Sequence, residues 1–389
     1  MGASLPQLPP PQFVNDSDGL NPNLILADMI AAFEAAAGRT LQPAQVERLL
    51  INLYAYRESL VRNAIQYAGE QNLVAFAGFP MIDYLGQLVG VARLAAQSAT
   101  TTLEFTLTEA LSVSYTIPAN TTAGSADGQA VFATNEDLLI PAGALTGSVV
   151  ASATPAGAGA NGYLAGQITV ELNPDALIAS VTNITISAGG SAPETDDHLR
   201  SRIQAAPNQF SVAGPEGAYR FFALSADSSI GDAQVLSPAP GQVTVCILTG
   251  PITAQPAPSP NPSGIASATL IGKLATALSA DNVRPLTDTV NVTGVTEVDY
   301  AIAGTITLYA DAEPVATMAA ANEAAANFAI ALASRIQRDL VPSQIIEALS
   351  VSGVYQVALT SPPYTQLEPG QWANCTAIVL AQAVAASAS

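Results

Sequence analysis

The stretch Ser191–Gly250, SAPETDDHLRSRIQAAPNQFSVAGPEGAYRFFALSADSSIGDAQVLSPAPGQVTVCILTG, carries the most legible local grammar in the chain. Thr195 followed by Asp196 and Asp197 puts a hydroxyl at a helix N-cap and two carboxylates in the first turn, where open backbone N–H groups and the helix dipole favour negative charge. A helix is predicted from there, with Leu199, Ile203 and the alanines after them as its apolar stripe and Pro207 as its limit. Gly214-Pro215-Glu216 opens a second helix, because proline is tolerated in a first turn that needs no donor, and Tyr219, Phe222 and Ala226 fall on one side of it. Ala233 to Val235 and Val243, Val245 and Ile247 read as short strands around the turn Pro238-Ala239-Pro240-Gly241. The predicted unit is helix, helix, strand, turn, strand, packed as an α/β layer.

Upstream, residues 1–22 are rich in proline, asparagine and aspartate and are expected to form an extended arm, ordered against a partner if at all. From Leu24 the spacing turns helical; Gly38 closes one helix and Pro43 opens another, with Val46, Leu49, Leu50, Leu53, Leu60, Ala64 and Ile65 at a 3.6-residue period. Arg57 falls on that same stripe. A buried arginine needs a carboxylate, so Arg57 is expected to pair with Glu34 or Asp83 inside a helical domain of residues 23–98, the alternative being a side chain that snorkels to water. Glu58 and Arg62 form an i,i+4 pair on the outside.

Between residues 99 and 190 the period becomes two, as in Leu103, Phe105 and Leu107, and turn signals at Asp127-Gly128 and Asn161-Gly162 recur, which predicts a small antiparallel sandwich or barrel. After a first α+β unit at 191–250, the prolines of 251–263 read as a stiff linker or protruding loop. A second α+β unit is expected at 264–389: a helix, strands at Val290 to Val292 and Val298 to Leu308, a long helix from Glu313-Pro314 to about Arg338, a short helix, and two last strands. The fold class is therefore multidomain α+β with a helical N-terminal domain, an antiparallel β-domain and two consecutive α+β units. The two units share an order of elements, a weak sign of duplication.

The chain has 389 residues, enough for several cores. With 31 acidic against 12 basic residues and a formal charge of −19, and Lys273 as its only lysine, it is poorly suited to neutralise phosphates, so nucleic acid is not an expected partner. Charged residues are 11% and hydrophobic residues 49%, which fits either a bland surface covered by neighbours or an alanine-rich host proteome. Cys246 and Cys375 read as two free buried thiols, not a bridge. The N-terminus lacks a basic segment followed by an apolar one, and no stretch approaches about 18 uninterrupted apolar residues, so a soluble protein assembled in the cytoplasm, without a membrane partner, is expected. His198 sits among Glu194, Asp196 and Asp197, but helix-start chemistry explains these acids and no second histidine completes a usual metal site. No metal, cofactor or catalytic residue is predicted.

Ser211-Val212-Ala213-Gly214-Pro215, Gly217-Ala218-Tyr219-Arg220, Ala223-Leu224-Ser225-Ala226-Asp227 and Ser237-Pro238-Ala239-Pro240-Gly241 together resemble an ordered series of motifs in the baseplate protein J family of contractile phage tails. Ala55-Tyr56-Arg57-Glu58, Ile82-Asp83-Tyr84-Leu85 and Val91-Ala92-Arg93-Leu94 are similar to that family's N-terminal region, and Val283-Arg284-Pro285 with Asp288 to a further step. The resemblance implies a bacteriophage virion structural protein, not an enzyme, located in the tail baseplate. It implies that two copies pair in each wedge, with a smaller lysozyme-like-fold wedge protein and a tail-fibre-connecting wedge protein. The C-terminal units would join wedges into a sixfold ring around the central hub, and the ring would change shape when the sheath contracts. Arg57, Asp83, Tyr219, Arg220, Arg284 and Asp288 are the candidate structural or interface residues. Arg284, biased to an extended loop by Pro285, is expected to bond a carboxylate, either of a neighbouring copy or of its own domain, for example Asp288. Two other readings have different consequences: a β-rich receptor-binding adhesin would place recognition in residues 100–190, and a wall-degrading enzyme would need a convergent carboxylate or metal site.

Overall fold

In the computed structural model residues 9, 11–14, 20–210, 214–250, 264–280, 283–285 and 287–386 are described, with side chains to residue 383. Two compact units result, one made of Met1–Arg93 with Thr195–Pro207 and the other of Leu94–Glu194 with Asn208–Ser389.

The first unit is helical. Helix α1 (Pro22–Ala37) starts where the Asn21 side chain accepts the Asn23 N–H and stops at Gly38, whose φ of 64° glycine adopts at little cost. The long helix α2 (Val46–Glu70) packs against α1, and α3 (Met81–Gln87) follows. Helix α4 (Asp196–Ala205) begins at Thr195, which accepts the His198 N–H at 3.3 Å. The helix start read from sequence is present, but α4 packs on α3 with the N-terminal helices rather than with the strands that follow it in sequence. Close approach makes this pairing tight: a Cβ on Gly86 would stand 2.6 Å from the Val91 carbonyl and 3.3 Å from Ile203. Residues 11–14 of the expected arm lie along α2, where Gln66 accepts the Phe13 N–H at 2.9 Å and donates to the Pro11 carbonyl at 2.6 Å.

The second unit opens with the antiparallel barrel that the period-two pattern predicts. Strands β1 (Thr100–Leu107), β3 (Thr122–Ser125), β4 (Val131–Thr134), β6 (Thr146–Ala153), β7 (Ile168–Glu171) and β8 (Ile178–Asn183) form one sheet in the order β7-β3-β4-β6-β1-β8. The end strands β7 and β8 lie against each other, so the sheet nearly closes. A second pair, β2 (Tyr115–Ile117) with β5 (Leu138–Ile140), adds Ile117, Leu138 and Ile140 to the same core. Alternation along β1 sends Leu103, Phe105 and Leu107 inward, where they meet Ile117, Phe132 and Ile140.

Helix α5 (Glu216–Ala226), strands β9 (Ile230–Ala239) and β10 (Gln242–Thr249), helix α6 (Ala268–Leu278) and strand β11 (Thr289–Gly294) form the next layer. Strand β10 pairs antiparallel with β9 and parallel with β11. A parallel neighbour needs a crossover, and α6 supplies it; Leu274 and Leu278 of α6 share one core with Tyr219 and Leu224 of α5. The sequence boundary at 251–263 is thereby corrected: the first α+β unit runs on to β11. The proline-rich stretch itself lies outside the described residues.

The last layer is built on β12 (Thr296–Tyr309), whose even-numbered side, with Tyr300, Ile302, Ile306 and Leu308, is buried on α7 (Pro314–Ala333) and α8 (Pro342–Leu349). Strand β13 (Val354–Ser361) pairs antiparallel and β14 (Gln371–Ala386) parallel to it. Both α+β layers thus have a central strand with one antiparallel and one parallel neighbour. The centre is the second strand of the first layer but the first strand of the second, so the shared order of elements is no simple repeat. Helix α7 is long and apolar enough to cross a membrane by length and composition alone, yet Ala321, Ala325, Ala329 and Leu332 line the core of this layer. Cys246 and Cys375 are free thiols, the first buried and the second half-buried.

Candidate interaction surface

Helix α2 has its amphipathic faces reversed. Ala55 and Ser59 are buried and Arg62 and Gln66 half-buried on the side that meets the rest of the helical unit. On the opposite side Val46, Leu49, Leu53, Leu60 and Val61 are exposed, Val46 to 67% and Leu53 to 56%, with Tyr54, Tyr56 and Tyr67 at the margins. A folded chain that orders 25 residues as a helix and turns its leucines to water leaves apolar area that only another surface can remove.

The expected burial of Arg57 is corrected by this geometry. Arg57 does lie on the leucine stripe, but the stripe faces outward and Arg57 is exposed. Neither proposed partner reaches it. Glu34 accepts the Leu41 N–H at 2.7 Å, and Asp83 is held by Arg93, from Nε to Oδ1 at 2.8 Å and from Nη2 to Oδ2 at 3.1 Å. Nη2 of Arg93 also meets Oδ1 of Asp196 at 2.7 Å, the other oxygen of Asp196 takes the Phe79 N–H at 3.0 Å, and the guanidinium lies over the Phe79 ring. The Arg93 guanidinium holds the Asp196 carboxyl below the usual carboxylate range. Helix-start chemistry therefore explains only part of what Asp196 does, and the sequence signal for its second role is the arginine of Val91-Ala92-Arg93-Leu94.

The other four candidates lie together in the second unit, around the first α+β layer. Arg220 bonds Oδ1 of Asp232 at 2.5 Å and the Ala233 carbonyl at 3.0 Å, tying α5 to β9, while Oδ2 of Asp232 accepts the Ile336 N–H at 3.1 Å. Tyr219 donates to Oδ2 of Asp288 at 2.9 Å, and burial first, then this carboxylate, pushes its phenol up. Arg284 gives Nε to the Ser279 carbonyl and Nη1 to the Asp288 carbonyl, each at 3.0 Å. Its bonds are thus to backbone oxygens of its own layer and not to the Asp288 carboxylate, which Tyr219 occupies. Asp281 and Asn282 of that step lie outside the described residues, as do Ser211-Val212-Ala213. Sequence reasoning missed Lys273, whose Nζ bonds the buried Asp227 at 2.6 Å across α5 and α6. Among the described residues no group of three or more His, Cys, Asp and Glu could hold a metal ion.

A barrel followed by two mixed three-stranded layers, the first of them braced by the Arg220–Asp232 and Lys273–Asp227 ion pairs, together with an outward apolar helix, defines a modular scaffold. Three family descriptions match in series: the Baseplate J-like protein barrel domain at residues 102–190, the Baseplate J-like central domain at 211–294 and the Baseplate J-like protein C-terminal domain at 300–381. The central and C-terminal matches divide the chain where β11 gives way to β12. The chain is 35% identical over 185 residues to Baseplate protein J of Escherichia phage P2, a match spanning 48% of this chain and 58% of that protein. Among solved structures it is similar to a chain of the anti-feeding prophage baseplate, determined by cryo-electron microscopy with sixfold symmetrisation, at 15% identity, covering 90% of this chain and 89% of that one, with a TM-score of 0.42. The chain belongs to the baseplate J-like proteins of bacteriophages, a family of structural baseplate components.

Proposed function

We propose that this protein is a wedge component of a contractile-tail baseplate, located in the virion tail and assembled in the host cytoplasm. The observation that carries the reading is the outward leucine stripe of α2, which supports the helical unit as the part that would pair within a wedge. Two copies would gather there with the lysozyme-like-fold and tail-fibre-connecting wedge proteins. The layer built on β12 and β14 would join neighbouring wedges into the sixfold ring around the hub. Family membership supports a baseplate role, and the low charge of the chain supports extensive coverage by neighbours. Its work is mechanical, and no catalytic step is assigned to it.

Replacing Leu53 and Leu60 by glutamate tests the reading. Both side chains are exposed, so unfolding of the lone chain should stay within about 0.5 kcal/mol of the parent. Co-expressed wedge proteins should no longer copurify with the variant. Undiminished copurification of a folded double variant would remove α2 from the interface.

A further inference from the structure

Arg57 stands at the middle of the outward stripe. Leu50, Leu53, Arg57, Leu60, Ala64 and Tyr67 follow one another at alternating spacings of three and four residues, the arrangement that lets a second helix run along the first for several turns with side chains interlocked. A guanidinium at such a position loses water when a partner covers it, and the charge must then meet a carboxylate. The acids of α2 itself are engaged elsewhere: Glu47 pairs with Arg39 at 2.7 Å, Glu58 with Arg62 at 2.7 Å, and Glu70 accepts the Gln66 amide at 2.7 Å. A second copy packed in register would set Arg57 against Arg57. An antiparallel copy would set it among leucines.

We propose that Arg57 selects what covers this face: a helix of another polypeptide, apolar at the same spacing and carrying one Asp or Glu opposite Arg57, while a bare copy of α2 is rejected. The proposal rests on α2 being the wedge interface. Two copies of the chain then share this face only with a carboxylate-bearing helix between them. A guanidinium in a leucine stripe also fixes register, since sliding by one heptad moves the carboxylate away from it.

The full chain can supply its own probe. Arg57→Glu places a carboxylate on the stripe, so an equimolar mixture of this variant with the parent chain offers each arginine an acid. In sedimentation velocity the parent and Arg57→Glu should each associate weakly alone, and the mixture at least about ten-fold more tightly, because like charges brought together cost several kcal/mol. Arg57→Leu, which removes the charge, should self-associate more tightly than the parent. Leu53→Glu added to each background subtracts association through other surfaces. Equal association in all samples, lost on adding Leu53→Glu, would keep α2 as an interface and overturn the role of Arg57. No association in any sample, Arg57→Leu included, would overturn the wedge-interface reading and the proposal with it.

Discussion

Arg93 grips Asp83 with one edge of its guanidinium, Nε at 2.8 Å and Nη2 at 3.1 Å from the two carboxylate oxygens. The same Nη2 reaches Asp196, so one side chain ties the start of α3 to the start of α4, residues more than a hundred positions apart in sequence. A planar fork makes these bonds together where an ammonium cannot. Arg93→Lys should therefore lower the stability of the helical unit by about 2 kcal/mol, the scale of a lost charge-assisted hydrogen bond. Urea unfolding followed by far-ultraviolet circular dichroism checks this, and full stability of the lysine variant would show that charge alone suffices.

Asp227 gives the clearest pH dependence. Burial pushes its carboxyl up, but Lys273 together with the Ser229 N–H and hydroxyl outweighs burial and holds it below the ordinary value. A depressed folded value means that the stabilisation is present above the unfolded pKa of about 4 and is lost as pH falls through the folded value. Asp227→Asn should cost about 1 kcal/mol at pH 7 and flatten the fall in melting temperature below pH 4. A variant whose melting curve keeps the parent's acid limb would contradict the assignment.

Arg284 bonds backbone carbonyls of Ser279 and Asp288, so it braces its own loop. Arg284→Ala should lower the thermal stability of the lone chain by about 1 kcal/mol and leave ring assembly at normal yield once the variant is folded. Loss of rings with unchanged melting would restore the interface role that its loop position suggested.

Trp372 is buried to 1% and donates its indole N–H to the Ala333 carbonyl at 2.8 Å. Gly264 lies over it with φ 122°, and a Cβ there would stand 2.5 Å from the ring. Gly264→Ala combines a backbone conformation that L residues rarely adopt with overpacking, and should cost roughly 2 kcal/mol or more. As the only tryptophan in the chain, Trp372 reports the change itself: its emission should shift to the red and its unfolding midpoint fall. Unchanged emission and midpoint would mean that the loop yields without strain.

Local chemistry was legible in the sequence and long-range pairing was not. The cap at Thr195, the stop at Gly38 and the inward alternation of Leu103, Phe105 and Leu107 depend on neighbours a few residues away, and periodicity reports them. The parallel pairing of β10 with β11 joins strands on either side of the proline-rich stretch, a non-local choice that no periodicity encodes, so the boundary of the first α+β layer was misplaced there. Helix α2 shows a different limit. Its leucine stripe was read correctly, but a stripe looks the same whether its own unit or a partner covers it. Only the structure shows that Ala55 and Ser59 face inward and Arg57 outward. The Tyr219–Asp288 bond was hidden for the same reason as the strand pairing, since α5 and the loop before β11 meet only in the folded layer.

The claim that α2 is covered in the assembled baseplate is open to direct measurement by hydroxyl-radical footprinting of the lone chain and of intact particles. Tyr54, Tyr56 and Tyr67 are 65%, 57% and 60% exposed in the lone chain, and all three should be labelled there. In intact particles their labelling should fall several-fold. Undiminished labelling of all three α2 tyrosines in intact particles would contradict the account.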